Sequence, residues 1–228
     1  MSVTGIVAAL TAEARTLGPR HPGGINRLAD GTLLIISGMG PAAAARASLA
    51  LVAAGAQGLL SFGLAGALDP GLRAGTVLLP DAVSDEAGTV HATSAPWRGR
   101  LAGVAAAGIG GTLLSVAQPL MTAAAKSQAW TSTGAVAVDM ESFAIAGVAQ
   151  ATGLRFAVAR VVLDTATDSV PASVLEATGT RGEVAPWRLL AGLARRPAEV
   201  IALLTLARRY QLAMRSLRSL ALQGVGSP

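Results

Sequence analysis

The stretch Ala135-Val136-Ala137-Val138-Asp139-Met140-Glu141-Ser142-Phe143, an Ala-rich run, and then Arg155-Phe156-Ala157-Val158-Ala159-Arg160-Val161-Val162-Leu163-Asp164 decides how the chain is read. Val136 to Val138 is short and apolar and predicts a buried strand. Met140 to Thr152 predicts a helix whose first turn carries Glu141, where the helix dipole favours an anion. Phe156 to Leu163 predicts a second strand that ends at Asp164, ahead of Thr165-Ala166-Thr167-Asp168. Strand, helix and strand in this spacing point to an α/β sheet, in which ligands bind outside the carboxyl ends of strands. Glu141 and Asp164 would then face one crevice.

Two carboxylates in one crevice fit a metal site or acid/base chemistry on a sugar, and they also fit two helix-capping acids. A third acid separates these readings. Gly5-Ile6-Val7-Ala8-Ala9-Leu10 is a strand of small and branched residues running into a helix start at Thr11, so Glu13 also lies at the carboxyl end of a strand.

Between these anchors the chain alternates in the same way. Ile25 to Ala29 and Thr32 to Ser37 predict a hairpin through Asp30-Gly31. Ser37-Gly38-Met39-Gly40 then leads into a helix opened by Pro41 and running to Ala54. This strand, glycine loop and helix also fits the dinucleotide fingerprint, but that motif needs an acid at the end of the next strand, and Gly58 to Phe62 ends at Gly63 without one. The loop can still offer backbone N–H groups to an anion or a ribose. Ser61-Phe62-Gly63-Leu64-Ala65-Gly66-Ala67 reads as a corner, Gly75 to Pro80 as a strand, and the polar run from Asp81 to Gly99 as a surface excursion. Gly111 to Val116 predicts a strand, followed by Gln118-Pro119-Leu120-Met121 and a helix from Met121 to Trp130.

With 228 residues the chain suits one domain with a sizeable core, built from Ala, Leu and Val because 52% of residues are hydrophobic but only 3% aromatic. Without Cys there is neither disulfide nor thiolate chemistry, and two His leave no plausible zinc cluster, so no metal site is expected. The first charge, Glu13, follows a short apolar run with no basic region ahead of it. That and the absence of a long lipophilic stretch give the expectation of an intracellular, cytoplasmic protein.

The net charge of +5 is carried by the C-terminal part, where eight Arg follow residue 180 against Glu183 and Glu199. No finger, basic zipper or aromatic-interleaved pattern accompanies it, so nucleic acid is not expected as a partner. Ser169 to Gly182 reads as a loop near the site. From about Ala198 to Leu222 a long helix places Leu203, Leu206, Tyr210, Ala213, Met214, Leu217 and Leu220 on one face and Arg208, Gln211, Arg215 and Arg218 on the other, with Leu204 and Leu212 left over. The pattern fits a packing helix with a solvated basic face or an interfacial helix.

Taken together, Gly5 to Leu10 with Glu13, Ser37-Gly38-Met39-Gly40, Gly63-Leu64-Ala65-Gly66-Ala67-Leu68, Asp139-Met140-Glu141 and Arg160 to Asp164 resemble the successive motifs of the purine nucleoside phosphorylase and nucleosidase superfamily. The methylthioadenosine/S-adenosylhomocysteine nucleosidases are a near branch. The run Thr133 to Ser142 and the basic C-terminal helix are most similar to the hopanoid-biosynthesis-associated phosphorylases, whose proposed reaction removes adenine from adenosylhopane.

The resemblance implies one domain over residues 1–228, a three-layer αβα sandwich around a central mixed, partly barrel-like sheet, with a basic helical extension at about 186–222. It implies Asp164 as the group that protonates purine N7, kept protonated in an apolar pocket lined by Met140, Val162 and Leu163. Glu13 would take a proton from water, and Glu141 would bind the ribose hydroxyls, with Met140 and Asp139 beside it. Gly38, Gly63, Leu64, Ala65 and Gly66 would lie along the nucleoside, and Met121, with Pro119 and Leu120, would stand where relatives place an aromatic on the base. Two departures are visible: Asp139 replaces a Glu, and Leu163 a Ser. No cofactor is implied, save inorganic phosphate as co-substrate in a phosphorylase. Ser61 stands where phosphorylases of one branch carry an Arg, which favours water, while Gly38 to Gly40 with Arg46 or Arg73 is the alternative anion site. Relatives are homo-oligomers, commonly dimers, and a lipid-linked substrate would bring the protein to the inner membrane surface. The alternatives are an ordinary methylthioadenosine/S-adenosylhomocysteine-type nucleosidase and, from another class, a nucleoside-binding protein without turnover or a membrane-surface adaptor using the basic helix.

Overall fold

The computed structural model describes residues 3–18, 21–104, 108–169 and 199–224. Strands β1 (Thr4–Ala8), β3 (Leu33–Ile36), β4 (Gly58–Ala67) and β10 (Arg155–Asp164) run parallel in the order β3-β1-β4-β10. β2 (Asn26–Arg27) closes the predicted hairpin on β3, where Asp30 accepts a hydrogen bond from the Thr32 N–H. At the far end of β4, Gly66 and Ala67 pair antiparallel with β9 (Ala137–Asp139), which continues through β8 (Thr112–Ser115) and β6 (Ala82–Ser84) to β7 (Val90–Ala92). β5 (Val77–Leu78) pairs with β10. β4 thus has β1 beside its first half, β9 beside its last residues and β10 along nearly its whole length, so the mixed sheet forks there.

The parallel strands are apolar on both faces because helices cover both. Alternate side chains go to opposite layers: Val7, Leu33, Leu59 and Phe156 meet α2 (Pro41–Ala53) and α5 (Ser142–Ala151), whereas Ile6, Leu34, Leu60 and Ala157 meet the other layer. That second layer is built from α1 (Thr11–Arg15), α3 (Ala95–Val104) and α6 (Glu199–Leu222), through Ala14, Trp97, Leu101, Ala213, Leu217 and Leu220. A helix, α4 (Ala123–Thr133), flanks the carboxyl ends of β8 and β9; Thr122 Oγ accepts from the Ala125 N–H at its start and Gly134 ends it in the left-handed region.

The fold is the expected α/β arrangement of a mixed sheet between helices, with three local corrections. The segment Gly63 to Ala67 is not a corner but the second half of β4, because β10 continues to pair with it as far as Gly66. Asp81 to Gly99 is not a surface excursion: β6 and β7 extend the sheet and Trp97 is fully buried, which a polar average over the run concealed. The strand expected over Gly75 to Pro80 is reduced to Val77–Leu78. In α6 the predicted inner face holds at Ala213, Leu217 and Leu220, while Tyr210 is partly exposed and Ile201, Leu204, Leu212 and Leu222 face outward. The loop expected over Ser169 to Gly182 and the start of the basic extension near 186 fall almost wholly outside the described residues. No helix among the described residues is long and apolar enough to cross a membrane.

Candidate active site

A cavity of about 500 Å³ opens at the carboxyl ends of β1, β4, β9 and β10. Glu13 enters it because β1 stops at Ala8 and α1 turns its third residue back over the strand end. Its Oε2 accepts from the Leu10 N–H at 2.9 Å and its Oε1 from the Leu64 N–H of β4 at 2.8 Å. Burial pushes its pKa up to about 7, against the opposing pull of Arg160 and those two N–H groups. Room for this carboxylate comes from Gly63: a Cβ there would stand 2.6 Å from the Glu13 carboxyl carbon and 2.8 Å from Arg160 Nη1.

Arg160 projects from the middle of β10 and is 2% exposed. A guanidinium in so apolar a strand must be paired, and its terminal nitrogens donate to Leu64 O, Ser61 Oγ and Glu141 Oε2 at 3.0 to 3.2 Å and lie 2.7 Å from Asp139 Oδ2. Burial works against its charge, but Asp139, Glu141 and Glu13 outweigh that and raise its pKa. Glu141 caps α5. Its other oxygen accepts from the Gly40 N–H at 2.9 Å, and burial raises its pKa against the pull of Arg160. Asp139 is directed away from the cavity space into a cage of Ser115 Oγ, Ser142 Oγ, the Ser142 N–H and Arg160. It lines the cavity, yet its carboxylate is already satisfied by the protein.

Across the cavity, Asp164 ends β10. Gly66 on β4 lies beside it, and a Cβ there would make ordinary contact, at 3.4 Å, with both Asp164 oxygens. The apolar pocket expected around Asp164 is only partly found. Leu163 and Met140 line the cavity, but Val162 is in the core, and the fully buried ammonium of Lys126 donates to Asp164 Oδ2 and, at 3.0 Å, to Thr165 O. Lys126 reaches it from the first turn of α4.

The cavity therefore brings together Glu13, Leu64, Ala65, Gly66, Met121, Asp139, Met140, Glu141 and Asp164. Gly38 and Gly63 stand outside its lining; Met39 takes the place of the first, and Gly63 acts by making room for Glu13. Besides Gln118, Lys126 and Arg160 the rest of the wall is apolar, with Met39, Val116 and Leu120 beside Met121, and among the described residues no aromatic ring lines it. Arg46 and Arg73 are exposed and outside it. Two functional residues escaped the sequence reading. Arg160 was signalled by its charge inside an apolar strand, and Lys126 by being the one Lys in a chain with 17 Arg. On the Glu13 side α6 comes close enough that, after burial, the Glu13 charge is what raises the pKa of the Tyr210 phenol. A second cavity, of about 330 Å³ between His91 and Arg155, has no carboxylate side chain among the described residues that line it.

A family model described as the phosphorylase superfamily matches residues 8–191. No curated protein sequence matches the chain. Among solved structures it is similar to the 5′-methylthioadenosine/S-adenosylhomocysteine nucleosidase of Neisseria meningitidis in complex with methylthio-immucillin-A, at 16% identity and a TM-score of 0.73 over 98% of each chain. A point mutant of the Helicobacter pylori nucleosidase, with 5′-methylthioadenosine in its active site, is 17% identical over 96% of this chain and 98% of that one, with a TM-score of 0.69. Futalosine hydrolase of Helicobacter pylori is 19% identical, over 96% and 97%, with a TM-score of 0.67.

Proposed function

Because the chain belongs to the phosphorylase superfamily, we propose that its cavity hydrolyses the N-glycosidic bond of a 5′-substituted purine nucleoside and releases adenine. The observation that carries this is the placing of Glu13, with a pKa of about 7, in the same 500 Å³ cavity as Asp164. Breaking a ribosyl-purine bond needs a proton for the leaving base, support for an oxocarbenium-like sugar and a nucleophile on the far face. Asp164 is assigned to N7 of the base. Glu141, fixed by Gly40 and Arg160, accepts from the ribose hydroxyls and lends negative charge to the developing cation. Glu13 takes the proton of the attacking water, and a base with a pKa near the working pH is well matched to that task.

Water is favoured over phosphate by the charge balance. Glu13, Asp139 and Glu141 surround one guanidinium whose terminal nitrogens are all engaged, and the Gly40 N–H is already bonded to Glu141. A phosphate dianion would meet a net negative field at this end of the cavity. Incubation with adenosine derivatives, with and without phosphate, tests both points: free sugar is expected in each case. A sugar 1-phosphate would move the enzyme to the phosphorylases, and unaltered nucleoside after tight binding would make it a binding protein.

The 5′ substituent is read as apolar, and the resemblance to the hopanoid branch makes adenosylhopane the candidate. The wall of Met39, Leu120, Met121 and Met140 supports it, since flexible thioethers adapt to a bulky hydrocarbon. Such a substrate is met at a membrane, and α6 supplies a surface for it: exposed Arg208, Arg215 and Arg218 stand with exposed Ile201, Leu204 and Leu212. A second subunit covering the open 5′ side is part of the same reading. Adenine release from adenosylhopane and from methylthioadenosine, each with and without anionic liposomes, is the deciding measurement. Faster cleavage of the small nucleoside, indifferent to lipid, would return the protein to the ordinary nucleosidases.

A further inference from the structure

We propose that Lys126 is the proton source for the leaving base, acting through Asp164; the inference rests on the hydrolytic reading above and deepens it. Lys126 is 1% exposed, lines the cavity, and bonds Asp164 and the Thr165 carbonyl through its ammonium, so a buried cation is paired with the one acid assigned to the base. The ammonium places its protons directly against the carboxylate that faces the base, so the pair can supply one. The identity of the cation is the second observation. Every other basic side chain among the 18 Lys and Arg is Arg, including the buried Arg160 that three carboxylates surround. Arg cannot give up its proton under these conditions, whereas an ammonium can. Lys therefore occurs where a transferable proton is useful and Arg where a permanent charge is.

The step balances. Lys126 passes one proton to Asp164, which passes it to purine N7. The C1′–N9 bond breaks, its electron pair goes to the purine, and neutral adenine leaves. Water bonds to C1′ and gives its proton to Glu13. The ammonium has become an amine and the Glu13 carboxylate an acid, so the total charge is unchanged. Exchange with solvent after product release restores both. Lys126 is thus a positioning and proton-supplying residue, since Asp164 is the group that touches the base.

The experiment compares Lys126→Ala and Lys126→Arg with the wild-type enzyme on an adenine nucleoside and on 4-nitrophenyl riboside, whose leaving group departs without a proton. Lys126→Ala is expected to lose about 100-fold or more in kcat on the adenine nucleoside with little change in KM, while the nitrophenyl substrate loses no more than a few-fold. Ethylamine added to Lys126→Ala should restore part of the adenine release. Lys126→Arg keeps the cation beside Asp164, which covers the case in which the alanine variant does not fold, and is expected to be as slow on adenine as Lys126→Ala. Wild-type turnover in either variant, or an equal loss on both substrates, overturns the proposal. Should the wild-type enzyme release no base from any nucleoside, the hydrolytic reading fails and takes this one with it.

Discussion

At one end of the cavity Glu13, Asp139 and Glu141 surround a single guanidinium; at the other, one carboxylate meets one ammonium. The first group is over-supplied with negative charge and relies on the Leu10, Leu64 and Gly40 N–H groups to hold it. The second is balanced by itself. The difference matches the two demands of the proposed hydrolysis, because a base that takes a proton from water is helped by excess negative charge, while the end that protonates the base needs a group able to release a proton. A fixed cation serves the first end and a proton-releasing cation the second.

The comparison is broken most severely at Arg160. Replacing it by Met leaves Asp139 and Glu141 as buried, uncompensated charges, and an uncompensated pair of this kind costs about 3–5 kcal/mol, read from urea unfolding at pH 7. Removing Lys126 leaves a single carboxylate exposed to a cavity, so its unfolding free energy should fall by less.

Glu13 gives the next effect. Its pKa is raised above the ordinary carboxyl value of 4.5 to about 7. Its protonated form is thus favoured by folding, and the stability it contributes is complete below about pH 4.5 and lost as pH rises through about 7. For so buried a group the loss is on the order of 3 kcal/mol. Unfolding curves of Glu13→Gln and wild type between pH 4.5 and 8 should therefore diverge, with the variant gaining relative stability as pH rises; parallel curves would contradict this. The rate behaves oppositely, since the base must be ionised: kcat should rise with pH and level off above about 7.

Asp164→Asn is next, at about 100-fold or more in kcat, equivalent to roughly 2.7 kcal/mol, with KM changed only a few-fold. Steady-state kinetics with full activity in this variant would remove Asp164 from the reaction. The smallest effect expected is none: phosphate up to millimolar levels should leave the rate of adenine release unchanged. An acceleration would mean that the acidic end tolerates an anion after all.

How much of this was legible in the sequence differs between the two ends as well. Glu13, Glu141 and Asp164 could be found because each follows an apolar strand, and strand ends are visible in a linear pattern. What they touch was not visible. Lys126 and Asp164 are 38 residues apart and Gly40 and Glu141 are 101 apart, and nothing in local periodicity reports such pairs. Hence Asp164 was expected in an apolar pocket and lies instead against an ammonium, and Asp139 was expected beside the ribose but is closed in by Ser115, Ser142 and Arg160. Likewise, Gly63 and Gly66 look like turn residues in isolation. Only the pairing of β4 with β10 shows that they are strand residues, and that the missing Cβ of Gly63 leaves room for Glu13.

The fork at β4 also bears on how the protein is made. Gly58 to Ala67 is hydrogen-bonded to strands beginning as early as Thr4 and ending as late as Asp164. During synthesis the central strand must therefore wait, with one edge unpaired, for about a hundred further residues to leave the ribosome. Contacts of such long sequence separation make folding slow and leave the open edge exposed to aggregation. Chains interrupted before β10 should accumulate as insoluble protein rather than as partly active fragments, since the last strand to arrive closes the sheet and delivers Arg160 and Asp164 together.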